Sequence, residues 1–425
     1  MIIQPAERTS EIKEYYFSSK LKEIAKMNAQ RAAEGAPGII SLGIGAPDRM
    51  PPAAAIEELC AQAARPDVHA YQSYVGIPQL REAFARWYSR YYGVELDPVT
   101  QIQPLVGSKE GILLICLAFL DSGDRVLVPD PGYPTYTSAV KLVQAEPVTY
   151  DLKEENGWLP DFEALEKMDL RGVKMMWTNY PKMPTGALAT EELYGKLADF
   201  GRRHGILVCN DNPYSFILSS KPLSILSVPG AMDCCLELNS LSKAHNMSGW
   251  RIGMVAAAPD VISQILKVKS QMDSGMFRPL QLAAVKALES GPEWFEQLNA
   301  EYAERRKAAG RIFEMIGVDY GKDGGGLFLW GKVRKDSPLL RRESLCGQEG
   351  RASGGASECD ALEKSPGEML SDAALYDAGV FITPGFIFGK NGRNYVRISL
   401  CATLPVLQEA CDRLSELVEA SQTSR

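Results

Sequence analysis

The chain predicts an α/β fold in two packed units, and three observations carry that prediction. From about Pro51 onward, short apolar and β-branched runs alternate with stretches of helical period, the rhythm of a mostly parallel sheet covered by helices. The chain has 425 residues, well past the length at which one hydrophobic core stops growing. After about Gly291 the pattern becomes more helical and mixed, which marks the start of a second, smaller unit.

The elements follow in order. Pro78 suits a first helical turn, and Leu80, Phe84, Trp87 and Tyr91 follow at helical spacing, giving a core-facing aromatic stripe. Gly107, Ser108 and Lys109 open an apolar helix pattern, ILLICLAFL. Strands are predicted at Arg125 to Val128, Val173 to Thr178, Ile206 to Asn210, Cys234 to Asn239 and Arg251 to Ala257. Most of them end in polar or Gly/Pro-rich turns, and in open α/β sheets the ligand crevice lies at the carboxyl ends of the strands. Glu293 to Met315 reads as one long helix, with a glycine break at Gly324 to Gly326. The stretch from Arg334 to Gly367 is rich in Ser, Gly and charge and lacks an apolar period. It is longer than the ~12 to 15 residues of an ordinary ordered loop, so a mobile excursion is expected.

Composition excludes several classes of function. The net charge of -7 leaves no basic field for a phosphate backbone, so nucleic acid is not an expected partner. Three histidines are too few to favour a His-built metal centre. The nine cysteines are scattered without a C-x-x-C spacing and read as reduced thiols. The longest apolar run, Ile112 to Leu120, falls far short of the ~20 residues of a membrane span. The first residues, MIIQPAERTS, lack the charged and apolar regions of a secretory signal, so a cytoplasmic protein is expected.

Three segments carry chemistry. In LNSLSKAHNMSGWRIG, which spans 238–253, a strand runs into Ser240, Ser242 and Lys243, with Arg251 eight residues past the lysine. A lysine at the mouth of a strand can form a Schiff base, and hydroxyls with a guanidinium suit a dianionic phosphate. VCNDNPYSF puts Asp211 at a strand end and Tyr214 three residues on. Such a carboxylate can keep a pyridine nitrogen protonated, and a phenol can hydrogen-bond a ring hydroxyl. VGSKEG sets Gly107 and Ser108 at a helix start, where backbone N–H groups favour an anion. Each segment alone is more commonly a solvated turn or an ordinary cap.

Together they carry a resemblance. SLSKAHNMSGWRIG, NDNPYSF, NYPKMPTG and YVRISLC resemble the signatures of class I/II aminotransferases of pyridoxal phosphate (PLP) fold type I, with the nearest branch similar to LL-diaminopimelate aminotransferase. The resemblance runs from about Ser41 to Cys401. It implies a large domain with a mostly parallel seven-stranded sheet and a small α+β domain. The expected division is 1–45 as an N-terminal segment joining the small domain, 46–290 as the large domain, and 291–425 as an interdomain helix and small domain with the excursion at 334–367. It also implies pyridoxal 5'-phosphate, a homodimer with shared active sites, and exchange of an amino group between an L-amino acid and a 2-oxo acid.

By position, the resemblance makes Lys243 the imine lysine, Asp211 the partner of the ring nitrogen and Tyr214 the donor to the ring oxygen. Arg251, Ser240 and Ser108 would hold the phosphate, with Gly107, Lys109 and Ser242 beside them. Tyr133 in DPGYPTY would stack on the ring, and Tyr71 in YQSYVG would reach the partner subunit's phosphate. Arg397 would clamp the substrate carboxylate, with Gly45 lining the same corner.

The sequence departs from the family pattern at two places. Met183 stands where family members usually have the asparagine that contacts the ring oxygen, so Tyr214 is expected to carry most of that contact. A rough alignment puts Met272 where aspartate-specific members have a side-chain arginine. A C–S β-lyase, or another α-carbon chemistry on the same fold, is the alternative reading. A DNA-binding regulator would need a helical domain ahead of the fold, and no such pattern precedes Ser41.

Overall fold

The structure, a computed structural model, describes residues 3–10, 12–340 and 364–423. Most of the expected excursion, 341–363, lies outside the described residues. On its near side Pro338–Leu340 forms a short 3-10 turn. On its far side the helix Pro366–Ala378 starts one residue before the expected end, because Pro366 occupies the first helical position where its missing N–H costs nothing.

Two compact units are present. The first comprises Met1–Ile12, Ala46–Glu301 and Gly324–Leu327; the second comprises Lys13–Gly45, Tyr302–Asp323 and Phe328–Arg425. This differs from the expected division in three ways. The residues up to Ile12 group with the large unit, the later boundary falls after Glu301, inside the helix Pro292–Met315, and Gly324–Leu327 returns to the large unit.

The first unit is built on a seven-stranded sheet. Its strands are β1 (Ile102–Leu105), β2 (Arg125–Asp130), β3 (Glu146–Asp151), β4 (Val173–Thr178), β5 (Leu207–Asp211), β6 (Cys235–Ser240) and β7 (Gly253–Ala256). Their spatial order is β1-β7-β6-β5-β4-β2-β3. All pairings are parallel except those of β7, which runs against both β6 and β1. The sequence reading missed β1 and β3. In Glu146–Asp151, at the sheet edge, only Tyr150 is buried, so the segment lacks the apolar run that marks a buried strand.

Period-two alternation divides the core between the two faces of the sheet. Val126, Val128, Met175, Trp177, Leu236, Leu238 and Val255 pack in one cluster with Ile112 and Ile115. Leu127, Met176, Val208, Met254 and Ala256 pack in the other, with Phe84, Trp87 and Leu197. A helix covers each face. α1 (Pro78–Tyr92) starts on Pro78 and stops at Gly93, whose left-handed φ of 65° ends the hydrogen-bond ladder. Its Trp87 stacks on Phe216 at 4.8 Å, while Tyr91 is only partly buried beside that core. On the opposite face α2 (Ser108–Phe119) buries Ile112, Leu114 and Ile115.

The second unit holds a four-stranded antiparallel sheet of β8 (Val318–Tyr320), β9 (Phe328–Val333), β10 (Thr383–Pro384) and β11 (Tyr395–Ser399), in the order β10-β11-β9-β8. Arg397 is in the middle of β11, opposite Trp330 on one side and Thr383 on the other. Among the described residues, no helix is long and apolar enough to cross a membrane, and no group of three or more His, Cys, Asp or Glu could hold a metal ion.

Leu238 is fully buried in the middle of β6 and supports the strand that ends at the candidate site. Leu238→Ala is expected to cost about 2–5 kcal/mol by lost burial and the cavity left behind, read as a lowered urea midpoint with an unchanged m-value.

Candidate active site

Strand register explains how distant segments meet. Leu105 at the end of β1 pairs with Gly253 at the start of β7, and Gly253 pairs with Ser240 at the end of β6. Because β7 runs against both neighbours, the turns leaving β1 and β6 and the turn entering β7 open at one edge of the sheet. Those turns carry Gly107 and Ser108, then Ser242 and Lys243, then Arg251.

Arg251 was expected as the first residue of a strand, and the structure corrects this. It follows the 3-10 turn Ser248–Trp250 in a left-handed conformation, φ 57° and ψ 56°, and β7 begins two residues later. That conformation costs a side chain on the order of 1–2 kcal/mol and persists only where surrounding contacts impose it. Its Nη1 donates to the Ser248 carbonyl at 2.8 Å and lies 3.5 Å from Ser242 Oγ. Beneath the guanidinium lies Gly107, with φ 78°, where an added Cβ would stand 2.1 Å from Arg251 Nη2. Glycine is required there twice over, by the backbone and by the close approach.

Ser240 Oγ lies 2.8 Å from Ser242 Oγ and accepts the Ser242 N–H at 3.1 Å. Ser108 begins α2 without a side-chain cap, and the first N–H groups of a helix have no intrahelical acceptor. Lys109 occupies the same turn with its side chain exposed. Hydroxyls, a guanidinium and a helix start around a glycine cradle form a pocket suited to a phosphate dianion.

Asp211 ends β5 and is 5% exposed. Burial lifts its carboxyl to about 6; the hydrogen bond from Tyr136 and the charges of Lys243 and Lys182 pull it back down, while Glu237 raises it further. Tyr136 Oη donates to Asp211 Oδ2 at 2.9 Å, and Oδ1 has no hydrogen-bond partner among the described residues. The backbone carbonyl of Asp211 accepts Asn179 Nδ2 at 2.6 Å, and Asn179 Oδ1 accepts the Met183 N–H at 2.8 Å. The Asn179 side chain therefore braces the two loops, while Met183 fills buried space.

Lys243 lies half-buried on the short helix Leu241–Ala244 that follows β6. Tyr214 is half-buried in the loop after β5, and both it and Tyr133 act electrostatically on Tyr136. The Tyr133 ring meets that of Tyr136 edge-on at 5.5 Å. One site in the first unit thus gathers Gly107, Ser108, Tyr133, Asp211, Tyr214, Ser240, Ser242, Lys243 and Arg251. Tyr71 belongs to the same unit and is 90% exposed.

Gly45 and Arg397 belong to the second unit. Arg397 is 3% exposed, donates from Nη2 to the Gly43 carbonyl at 2.8 Å, and places its guanidinium carbon 3.9 Å from the centre of the Phe328 ring. Gly45 packs on that same ring, where a Cβ would come within 2.3 Å of Cζ.

The sequence reading missed Tyr136, Asn179 and Lys182. Tyr136 stands one helical turn after Tyr133 in DPGYPTY, a spacing that brings the two rings to one face and could have flagged it. Lys182 stands between Pro181 and Met183 in NYPKMPTG, and nothing in the sequence signals that its amine is buried.

A profile of the family described as aminotransferase class I and II matches residues 37–414. The chain belongs to this family. It is 36% identical over 413 residues to the LL-diaminopimelate aminotransferase of Aquifex aeolicus, covering 95% of this chain and 99% of that one. It is 37% identical over 418 residues to the Moorella thermoacetica enzyme of the same name, covering 98% and 99%. Among solved structures, substrate-bound BacF from Bacillus subtilis matches with a TM-score of 0.85 at 33% identity, over 98% of both chains.

The protein is accordingly a PLP-dependent aminotransferase on the α/β fold of that class, and these relatives do not favour the C–S lyase alternative. The residues fit the cofactor. The unpartnered, buried Oδ1 of Asp211 suits a protonated ring nitrogen, and the cradle at Gly107 leaves room that a Cβ would fill. Gly107→Ala is expected to displace the Arg251 guanidinium and weaken PLP about tenfold or more. Unphosphorylated pyridoxal should bind the variant nearly as well as it binds the wild type, and equilibrium titration of both compounds checks the difference.

Proposed function

We propose that this aminotransferase works through Lys243, Asp211 and Tyr214, and that its amino donor is an L-amino acid of the LL-diaminopimelate kind. The observation that carries the proposal is the sealed carboxylate of Asp211, ending β5 with Oδ1 open and acted on by Lys243. When bound, PLP supplies a carbonyl that takes up the amino group and a protonated ring that accepts the electron pair released at the substrate Cα.

The chain supplies the rest. Lys243 Nζ would hold the cofactor covalently and, once displaced by substrate, would take the proton from Cα and pass it to the cofactor carbon bonded to the substrate nitrogen. Asp211 would keep the ring nitrogen protonated: without cofactor it is ionised above about pH 6, and a protonated ring beside it favours the ionised form further, so the pairing is lost only as pH falls below this value. Tyr136 holds Asp211 Oδ2, leaving Oδ1 for the ring. Tyr214 donates to the ring oxygen, and with Met183 in the usual asparagine position it carries most of that contact. Tyr133 stacks on the ring, and Arg251, Ser240, Ser242, Ser108 and the backbone of Gly107 and Lys109 hold the phosphate.

Arg397 clamps the substrate α-carboxylate through a bidentate pair, with Gly45 beside it. The relatives at 36–37% identity support the LL-diaminopimelate donor, and Met272 at the position where aspartate-specific members carry arginine weakens a simple aspartate preference. The family resemblance implies a homodimer in which Tyr71 completes the partner's phosphate site, and its 90% exposure is compatible with that role. The enzyme is proposed to act in the cytoplasm.

Lys243→Ala is expected to lose the visible absorption band of bound PLP and to reduce turnover to background; a variant keeping both would refute the assignment. Arg397→Met removes two charge-assisted hydrogen bonds of roughly 1.5–3 kcal/mol each, so KM for donor and acceptor should rise about 100-fold or more while the cofactor band stays. Initial rates against both substrates should give the parallel lines of a ping-pong scheme. A screen of amino donors with 2-oxoglutarate identifies the substrate, and indifference to LL-diaminopimelate would refute that part of the proposal.

A further inference from the structure

Lys182 is a charge that the fold has no packing reason to keep. It is 2% exposed, and its Nζ has no hydrogen-bond partner among the described residues. The backbone allows little adjustment: its N–H donates to the Ala187 carbonyl at 2.8 Å, and its carbonyl accepts the Gly186 N–H at 2.7 Å. The ammonium lies 5.9 Å from the centre of the Tyr180 ring. A buried lysine without a hydrogen bond is rare and costly, and a methionine would fill the same volume without that cost.

What faces this amine is acidic. The charges acting on it are those of Asp130, which ends β2 and is 4% exposed, and of Asp211, which ends β5. Burial pulls the amine down to about 7, and the two carboxylates push it back up. From the side of Asp211, the groups in play are Tyr136, Lys243, Glu237 and Lys182. Only two of these are cations. Lys243 is also the lysine whose nitrogen changes bonding and protonation during the reaction, so its charge is not constant. Lys182 has no such duty.

Resting on the reading of Asp211 as partner of the cofactor ring nitrogen, we propose that Lys182, on the loop leaving β4 between the strands that end in Asp130 and Asp211, is a positioning residue whose ammonium keeps Asp211 ionised whatever the state of Lys243. The sign follows from Coulomb's law: through the acid limb, below the amine's own value of about 7, Lys182 is charged and favours the carboxylate, so its removal shifts protonation of Asp211 to higher pH. Asp130, left without that cation, would add repulsion in the same direction.

The test uses the full-length enzyme and two cofactors: PLP, and a deaza analogue in which carbon replaces the ring nitrogen. Equilibrium dissociation constants are measured across pH for wild type, Lys182→Met, Lys182→Gln and Lys182→Arg, with thermal unfolding of each apo form as a check on folding. For PLP, Lys182→Met and Lys182→Gln should shift the acid limb upward by about one pH unit, which weakens binding about twofold at pH 7 and approaches tenfold below about pH 6. Lys182→Arg should keep the limb near its wild-type position. For the analogue, which offers no proton to Asp211, the same two variants should bind no worse than wild type.

Equal weakening of both cofactors would show a merely structural role and overturn the proposal, as would an unshifted acid limb in Lys182→Met. Wild-type enzyme that fails to bind PLP more tightly than the analogue would instead overturn the underlying assignment of Asp211. The two failures are therefore distinguishable.

Discussion

Burying the Asp211 carboxylate is the constraint around which the site is arranged. A carboxylate sealed from water tends to take up a proton, yet a carboxylate that pairs with a protonated ring nitrogen must stay ionised. The surrounding chain supplies what opposes protonation: a phenol on Oδ2, two lysines nearby, and Asn179 fixing the backbone from which the side chain departs. Behind it Glu237, also fully buried, accepts from Tyr88 and Asn210 and from the Ile225 N–H, so a second acid is held by hydrogen bonds instead of a counter-charge. Among the described residues nothing in the chain pairs with the open Oδ1, which leaves it for a group from outside.

The phosphate end uses different physics. No buried acid needs to be restrained there; the requirement is close approach of donors to one point. The antiparallel strand β7 meets it by bringing the ends of β1 and β6 to its own start, and the left-handed residue Arg251 turns a cation back over a glycine. The energy stored in that turn is the cost of aiming the guanidinium. Rigid strands fix both ends of the site, and only short turns separate them from the reacting groups.

Much of this was legible in the sequence. The order and spacing of SLSKAHNMSGWRIG, NDNPYSF and YVRISLC point to Lys243, Asp211, Arg251 and Arg397 as candidate site residues. The buried strands β4, β5 and β6 announce themselves by apolar runs. The edge strand Glu146–Asp151 does not, because one side of it is solvated. Arg251 was misread as strand because its neighbours are apolar, whereas its left-handed backbone carries the guanidinium toward Gly107 and Ser242, which no local pattern encodes.

By itself the sequence determined residue chemistry and its order: which amine, which acid and which guanidinium groups are available, and that an α/β sheet would present them at strand ends. Only the tertiary structure decided their environments. That Asp211 is held by Tyr136, that Asn179 serves as a brace, and that the Lys182 amine is sealed beside two acids all depend on contacts between strands far apart in the chain. The reason is physical: desolvation and hydrogen-bond satisfaction belong to the packed surroundings of a group and not to its neighbours in sequence.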